Sequence, residues 1–440
     1  MSVENLFWAF NISPVWDDIK HLKHSLLLLH YRIKHFYKFC FTLAKVIQVK
    51  PMNAKERFLA ALNRQPTDRL PVTTHHIMPS FLKNYMDNAT NQEFFDHFGI
   101  DPINWVMAYS CSPDNGEYFD PGHTELGFLE ARRVISDNWR IKIDPLPGFE
   151  YETHRFSILT PGKTLSMVLQ ANEHTTWLKE HLVKEKGDID YIAKYMTYPH
   201  CDTEEINRAA EVYGNRGLIR GHIMAFEGFG QPGCWQDASC LYGIGNLIMA
   251  TFEDPDWVHS FLSILCERKK VYINSLRGAA YDLLELGGGD ASTTVISPDI
   301  FREFIFPYDS QLIDAAHKAG QRIVYHTCGG MMPILEDIAS MKPDAMETFT
   351  PAGMGGDTVL HEAKKRIGDK VCMIGGFDQY HFFTHCSENE TRSEVRRCFT
   401  EAGEGGGFIL SPSDHFFEAD LNLIRAFADE ARKCTYVGHN

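Results

Sequence analysis

The chain has 440 residues, of which 44% are hydrophobic and 23% charged; this is the composition of a soluble globular protein and the length of one barrel-sized domain with insertions. The formal net charge of −15 excludes a general nucleic-acid binder, which needs basic surface, and argues against a polyanionic substrate unless a local basic pocket neutralises it. The 11 cysteines are scattered and include no C-x-x-C pair, so they read as reduced thiols of a cytoplasmic protein rather than as a disulfide framework.

The first fifty residues differ from the rest. "HSLLLLHYRIKHFYKFCFTLAKVIQVK" is apolar, aromatic and basic. Arg32, Lys34, Lys38 and Lys45 interrupt it, so it lacks the run of about 20 apolar residues that a membrane span needs. It also lacks the small-residue cleavage site of a secretory signal. An interfacial amphipathic helix and a cap helix on the domain are both open readings. The favoured one is an N-terminal extension over 1–51, outside a functional domain over 52–440. "MNAKERFLAALNRQPTDRLPV" reads as that domain's start. Phe58, Leu59, Ala61 and Leu62 give a helix an apolar face, and Pro66 and Asp68 end it.

From Arg69 onward, short apolar runs alternate with helical patterns such as "SPDIFREFIFPYDSQLIDAAHKAG". The expected strands are Leu70–His75, Ile103–Tyr109, Gly217–Ile223, Asp282–Gly287, Arg322–Thr327, Asp344–Thr348, Val371–Gly376 and Gly407–Pro412. This alternation predicts a parallel (β/α)8 TIM-type barrel. An open doubly wound sheet is the alternative, and the absence of G-x-G-x-x-G after the first strand counts against it. One stretch breaks the alternation: "ARRVISDNWRIKIDPLPGFEYETHRFSILTPGKTLSMVLQ" has period-two patches and turn signals. It predicts an antiparallel β insertion after the second strand. No internal repeat is visible.

A barrel enzyme places its chemistry at the C-terminal ends of its strands. Unusual residues gather there: His75 and His76, Glu285 and Asp290, His326 and Cys328, Glu347, Asp378, and Asp414 with His415. Singly each has a bland reading. A carboxylate at a strand end is usually solvated or a helix cap, a lone histidine usually a core or surface residue, and "GGGD" does not fit a phosphate-binding P-loop. Convergence on one face changes the balance. His326 and Cys328 are two residues apart on a strand, hence on one side. An imidazole and a thiolate suit a borderline-soft ion such as Zn2+.

These residues carry a resemblance. "MNAKERFLAALNRQPTDRLPV", "DLLELGGGD", "ISPDIFREFIFPYDSQLIDAAHKAG", "VYHTCGG" and "GGFILSPSDH" resemble the uroporphyrinogen decarboxylase superfamily, whose fold is a (β/α)8 barrel. The resemblance runs from Met52 to the C-terminus and implies one of two branches. True decarboxylases are similar to one another in an Arg-rich segment soon after the first strand, need no metal, and act on a tetrapyrrole with eight carboxylates. Here "VTTHHIMPSFLKNYMDNATNQEFF" offers Lys83 and no arginine, which disfavours that substrate. The other branch holds zinc-dependent methyltransferases that work with a corrinoid protein and carry His-x-Cys at this strand end. The resemblance implies His326, Cys328, Glu347 and Asp414 as metal ligands, Asp414 standing where a cysteine is usual. The more oxygen-rich ligand set favours a methylated ether or amine over a thiol.

The expectation is therefore methyl transfer between a small methylated substrate and a corrinoid partner protein. Glu347, Asp378 and Asp290 are the candidate catalytic groups. His75, His76, Trp105, Phe226, Phe377, Tyr380 and His415 are the candidate substrate contacts, with Phe229 and Trp235 as further aromatic candidates. A homodimer is compatible with this reading; a nucleic-acid partner and a membrane span are not expected. A metal-free lyase acting on a smaller acid is the alternative. A corrinoid carrier is disfavoured, since no D-x-H-x-x-G is present.

Overall fold

The computed structural model describes residues 51–110, 117–119, 133–172, 174–225 and 232–436. The first helix of the described residues, Ala54–Leu62, starts where Asn53 and Glu56 cap each other's backbone N–H groups, and its buried face holds Phe58, Ala61 and Leu62. The strands follow as β1 (Ile103–Trp105), β2 (Tyr109–Ser110), β3 (Glu117–Phe119), β4 (Arg133–Ile135), β5 (Arg140–Pro145), β6 (Glu152–Thr160), β7 (Lys163–Ala171), β8 (Thr176–Glu180), β9 (His200–Cys201), β10 (Leu218–His222), β11 (Leu283–Gly287), β12 (Ile323–His326), β13 (Ala345–Thr348), β14 (Cys372–Phe377) and β15 (Phe408–Pro412).

Seven of these form one parallel sheet, in the order β1-β10-β11-β12-β13-β14-β15. The strands β10 to β15 are buried on both faces, as a parallel sheet wrapped by helices must be. The expected strand Leu70–His75 contributes a narrower eighth stave. Val72 bridges to Leu410; Thr73 N–H donates to the Leu410 carbonyl at 2.9 Å, and Asp101 N–H to the Val72 carbonyl at 2.7 Å. The stave thus touches both β15 and the approach to β1, and closes the (β/α)8 barrel. It is short because Pro71 has no N–H to give to a ladder.

The expected strand Ile103–Tyr109 also divides. Its barrel part stops at Trp105, while Tyr109 and Ser110 pair antiparallel with β9. The β insertion after the second barrel strand is present as a four-stranded antiparallel sheet, β5-β6-β7-β8. It runs on to Glu180, further than the period-two patches marked. On β6 the buried residues are Thr153, Phe156 and Ile158, facing Leu165 and Met167 of β7.

The segment "SPDIFREFIFPYDSQLIDAAHK" is helical from Pro298 to Lys318, with a wide π turn over Phe301–Ile305. Pro307 explains that turn: its ring cannot sit against the carbonyl four residues back, and the wider turn moves that carbonyl aside. Among the described residues no helix is long and apolar enough to cross a membrane.

Candidate active site

Register gathers the site. Gly287 of β11 pairs with His326 of β12, and His326 with Glu347 of β13, so the ends of neighbouring strands reach one height at the C-terminal mouth. Gly329 then turns the chain with φ +99°, a conformation that favours glycine; a Cβ there would meet the Thr294 hydroxyl at 2.7 Å. Thr348 and Phe349 also carry positive φ, of 82° and 45°, directly after Glu347. Such backbone costs about 1–3 kcal/mol per residue and persists where surrounding contacts fix it. Here the Thr348 hydroxyl donates to the Thr327 carbonyl at 2.6 Å, tying the two strand ends together.

His326 is buried and has a different neighbour on each ring nitrogen. Nδ1 lies 2.9 Å from Glu347 Oε1. Nε2 lies 2.9 Å from Cys328 Sγ. Cys328 Sγ in turn lies 3.7 Å from Asp414 Oδ2, and Asp414 Oδ1 lies 2.8 Å from His415 Nδ1. Burial pushes the Cys328 thiol up, against the opposing pull of His326. Burial alone would lower His326, but the Cys328 thiolate and the Glu285 carboxylate hold it well above the ordinary imidazole range. Asp414 is held below the usual carboxylate range because the His415 contact outweighs burial.

A second cluster lies behind the first. Arg220 is 1% exposed, and its Nη2 donates to Glu285 Oε2 at 2.9 Å and to Glu347 Oε1 at 2.5 Å. His75 Nε2 lies 2.8 Å from Glu285 Oε2 and 3.4 Å from Glu347 Oε1. The Trp105 indole N–H donates to the His75 carbonyl at 2.8 Å, and the Arg220 guanidinium sits 4.6 Å from the Trp105 ring centre, within cation–π range. Burial would raise Glu285, yet the charges of His326 and His75 bring it down to about 2. Glu347 is likewise held well below its ordinary value, Arg220 and His75 outweighing burial. His76 stacks near His415, with ring centres 4.8 Å apart; burial and the neighbouring His75 push it well below the ordinary imidazole range.

Two donor sets could hold a cation, and both use His326. One comprises His75, Glu285, His326 and Glu347, whose donor atoms lie within 4.8 Å of one another. There the Arg220 guanidinium already supplies the positive charge between the carboxylates. The other is the chain His326 Nε2, Cys328 Sγ and Asp414 Oδ2. Zinc bonds of about 2.0–2.3 Å in a tetrahedron require donor atoms about 3.5 Å apart. The Cys328–Asp414 spacing meets this, and the His326–Cys328 pair has to part by roughly half an ångström. This set offers soft and hard donors, and Glu347 on Nδ1 is the kind of carboxylate that orients a ligating imidazole; in the first set all donor atoms lie within 4.8 Å of one another. Glu347 is thus a donor beside His326 in the first set and the partner of Nδ1 in the second.

The other expected residues differ in their surroundings. His75, His76, Trp105 and His415 are at the site. Phe377 is fully buried among Phe382, Phe383 and Phe427, and Trp235 is a core residue whose indole donates to the Asp290 carbonyl at 3.1 Å. The Asp290 carboxylate accepts from Gln236 Nε2 at 3.1 Å and from Ser239, which anchors its loop. Asp378 caps the short helix Gln379–Phe382 by accepting from His381 N–H at 2.9 Å. Tyr380 is 65% exposed and lies beside His385. Phe226 and Phe229 lie outside the described residues.

Sequence reasoning missed Arg220. Its partners are 65 and 127 residues away, so no local spacing marks it; an arginine within the apolar run "GLIRGHI" was the available signal.

Comparison with known proteins agrees with this architecture. The family model for uroporphyrinogen decarboxylase (URO-D) matches residues 156–434. A uroporphyrinogen decarboxylase from Alcanivorax borkumensis is 24% identical over 380 residues, covering 81% of this chain and 90% of that relative. The methylcobamide:CoM methyltransferase MtaA of Methanosarcina barkeri is 26% identical over 175 residues, covering 40% of this chain and 48% of that protein. The fold is similar to that of a methyltransferase from Methanosarcina mazei, with a TM-score of 0.54 and 17% identity, covering 87% of this chain and 99% of that one. With more than half of its length matched by the family model, the chain belongs to the uroporphyrinogen decarboxylase (URO-D) family.

Proposed function

We propose that this chain is a zinc-dependent methyltransferase that moves a methyl group between a small methylated substrate, an ether or amine, and a corrinoid protein. The observation that carries the reading is the approach of His326 Nε2 to Cys328 Sγ at 2.9 Å, with Glu347 on the other ring nitrogen. His326, Cys328 and Asp414 would hold the ion. Zinc bound there would act as a Lewis acid on the heteroatom that carries or receives the methyl group.

The remaining tasks fall to side chains. Glu347 accepts from the protonated Nδ1 of His326 and so leaves the Nε2 lone pair free to ligate. Arg220 and His75 keep Glu347 ionised in a buried setting, and His326 and His75 do the same for Glu285. The Trp105 ring gives the mouth an apolar wall that limits water. His415 fixes the orientation of Asp414. Similarity to the methylcobamide:CoM methyltransferase supports a corrinoid partner, which would dock over the barrel mouth.

A metal-free lyase is the second reading, favoured by the names of relatives such as the A. borkumensis decarboxylase. The charge arrangement weighs against uroporphyrinogen itself: a substrate with eight carboxylates needs several available cations, whereas Arg220 is already bonded to two carboxylates. A lyase acting on a smaller acid is distinguished by its lack of zinc.

The experiment is zinc stoichiometry by elemental analysis. We expect about one zinc per chain in the wild type and a marked loss in Cys328→Ser, with an unchanged circular dichroism spectrum. Equal zinc in the two proteins, or none in either, would remove the basis of the methyltransferase reading.

A further inference from the structure

His222 has no task in that reading. It ends β10, two residues after Arg220. Arg220 reaches Glu347 on the non-adjacent β13 through the barrel interior. Strand alternation puts His222 on the same, inward side, and register pairs it with Glu285.

The ring's two nitrogens are not equivalent. Nδ1 lies 2.8 Å from the Ile223 carbonyl oxygen. A carbonyl only accepts, so Nδ1 carries the proton and Nε2 presents a lone pair. His222 is 3% exposed, and Nε2 makes no hydrogen bond with any described residue. Buried polar atoms nearly always have a partner, and an unpaired acceptor beside a charged site is where an incoming donor would bind. Burial also holds this imidazole below its ordinary pKa, which keeps the lone pair available.

We propose that His222 is a substrate-contact residue whose Nε2 accepts a hydrogen bond from an O–H or N–H group of the methylated substrate. This rests on the methyl-transfer reading and narrows its substrate class. A fully methyl-capped compound, such as an aromatic diether or a quaternary ammonium, has no donor to offer. A site built around one buried acceptor discriminates against a ligand that leaves it unpaired.

The test is binding, measured by calorimetry on zinc-loaded, full-length protein. The probes are two matched pairs: 2-methoxyphenol with 1,2-dimethoxybenzene, and trimethylammonium with tetramethylammonium. In at least one pair the wild type should favour the donor-bearing member by roughly tenfold, the worth of one hydrogen bond in a buried site. His222→Phe should abolish that preference, and His222→Gln, which keeps an acceptor, should retain part of it. Zinc content should not change in either variant.

A measurement on wild-type protein guards against a folding defect in His222→Phe. The 15N signal of His222 Nε2, assigned by its loss in His222→Gln, should move on addition of the donor-bearing ligand and stay put with the capped one. A preference that persists in His222→Phe, or an unmoved signal with a ligand that binds, overturns the role of His222 and leaves methyl transfer standing. No preference in the wild type overturns the inference as well. If none of the four compounds binds the wild type, the proposed substrate class falls and this inference falls with it.

Discussion

Asp309 shows how a buried group away from the mouth reports on the packing. Its Oδ2 accepts from the Tyr325 hydroxyl at 2.8 Å, and its Oδ1 from the Cys234 N–H at 3.3 Å. Burial is the largest influence and lifts its pKa from the ordinary 3.8 to about 6, against those two bonds. The native state therefore holds this proton over a range where the unfolded chain has lost it. Stability from this group is full below the unfolded value near pH 4 and declines as pH rises towards about 6. The decline amounts to something on the order of 2–3 kcal/mol. Asp309→Asn, which cannot ionise, should flatten the urea-unfolding profile between pH 4 and 6; an unchanged slope would show that Asp309 titrates normally. The residues of the site itself were unevenly legible. His326, Cys328, Glu347 and Asp414 stood out because each is an unusual type at the end of an apolar run. The division of His326 between two partners was not legible, since only packing decides which nitrogen faces which group. Arg220 escaped for a related reason: its partners come from β11 and β13, and nothing near it in the chain announces them.

Elements were easier to read than contacts, and their failures have physical causes. The strands from β10 to β15 were recoverable because each is a short apolar run bounded by glycine or charge. The first stave and β1 were overextended because both lie where the barrel closes, and closure there relies on side chains as well as on ladder bonds. Asp101 is the centre of that arrangement. It accepts from Arg57 Nη1 at 2.6 Å, from Arg69 Nη2 at 2.7 Å and from the Val72 N–H at 3.1 Å. Arg57 belongs to the first helix and is also held by Asp68 at 2.7 Å. One buried carboxylate thus joins the helix, the first stave and the start of β1. Removing one partner of a buried charge network leaves the others uncompensated, which costs about 3–5 kcal/mol. Asp101→Ala should lose stability in that range by urea unfolding. A change below about 1 kcal/mol, the worth of an exposed pair, would mean that water already screens these charges and that backbone pairing alone closes the barrel.

At the scale of the molecule, residues Pro51–Tyr436 form one compact unit. It also secures its own beginning. Met52 N–H donates to Asp68 Oδ2 at 3.0 Å, and Arg57 Nη2 donates to the Met52 carbonyl at 2.6 Å. A chain that started at Met52 would keep both contacts, because a terminal ammonium still donates to Asp68 and gains charge in doing so. The capping box of Asn53 and Glu56 lies wholly inside the shortened chain. We therefore expect a protein comprising residues 52–440 to fold, to melt within about 2 °C of the full chain, and to bind the same amount of zinc. A shift of that size corresponds to about 1–2 kcal/mol for a domain of this length. An insoluble product, or a melting point lower by ten degrees or so, would mean that the apolar run Leu26–Leu29 contributes burial on which the barrel depends.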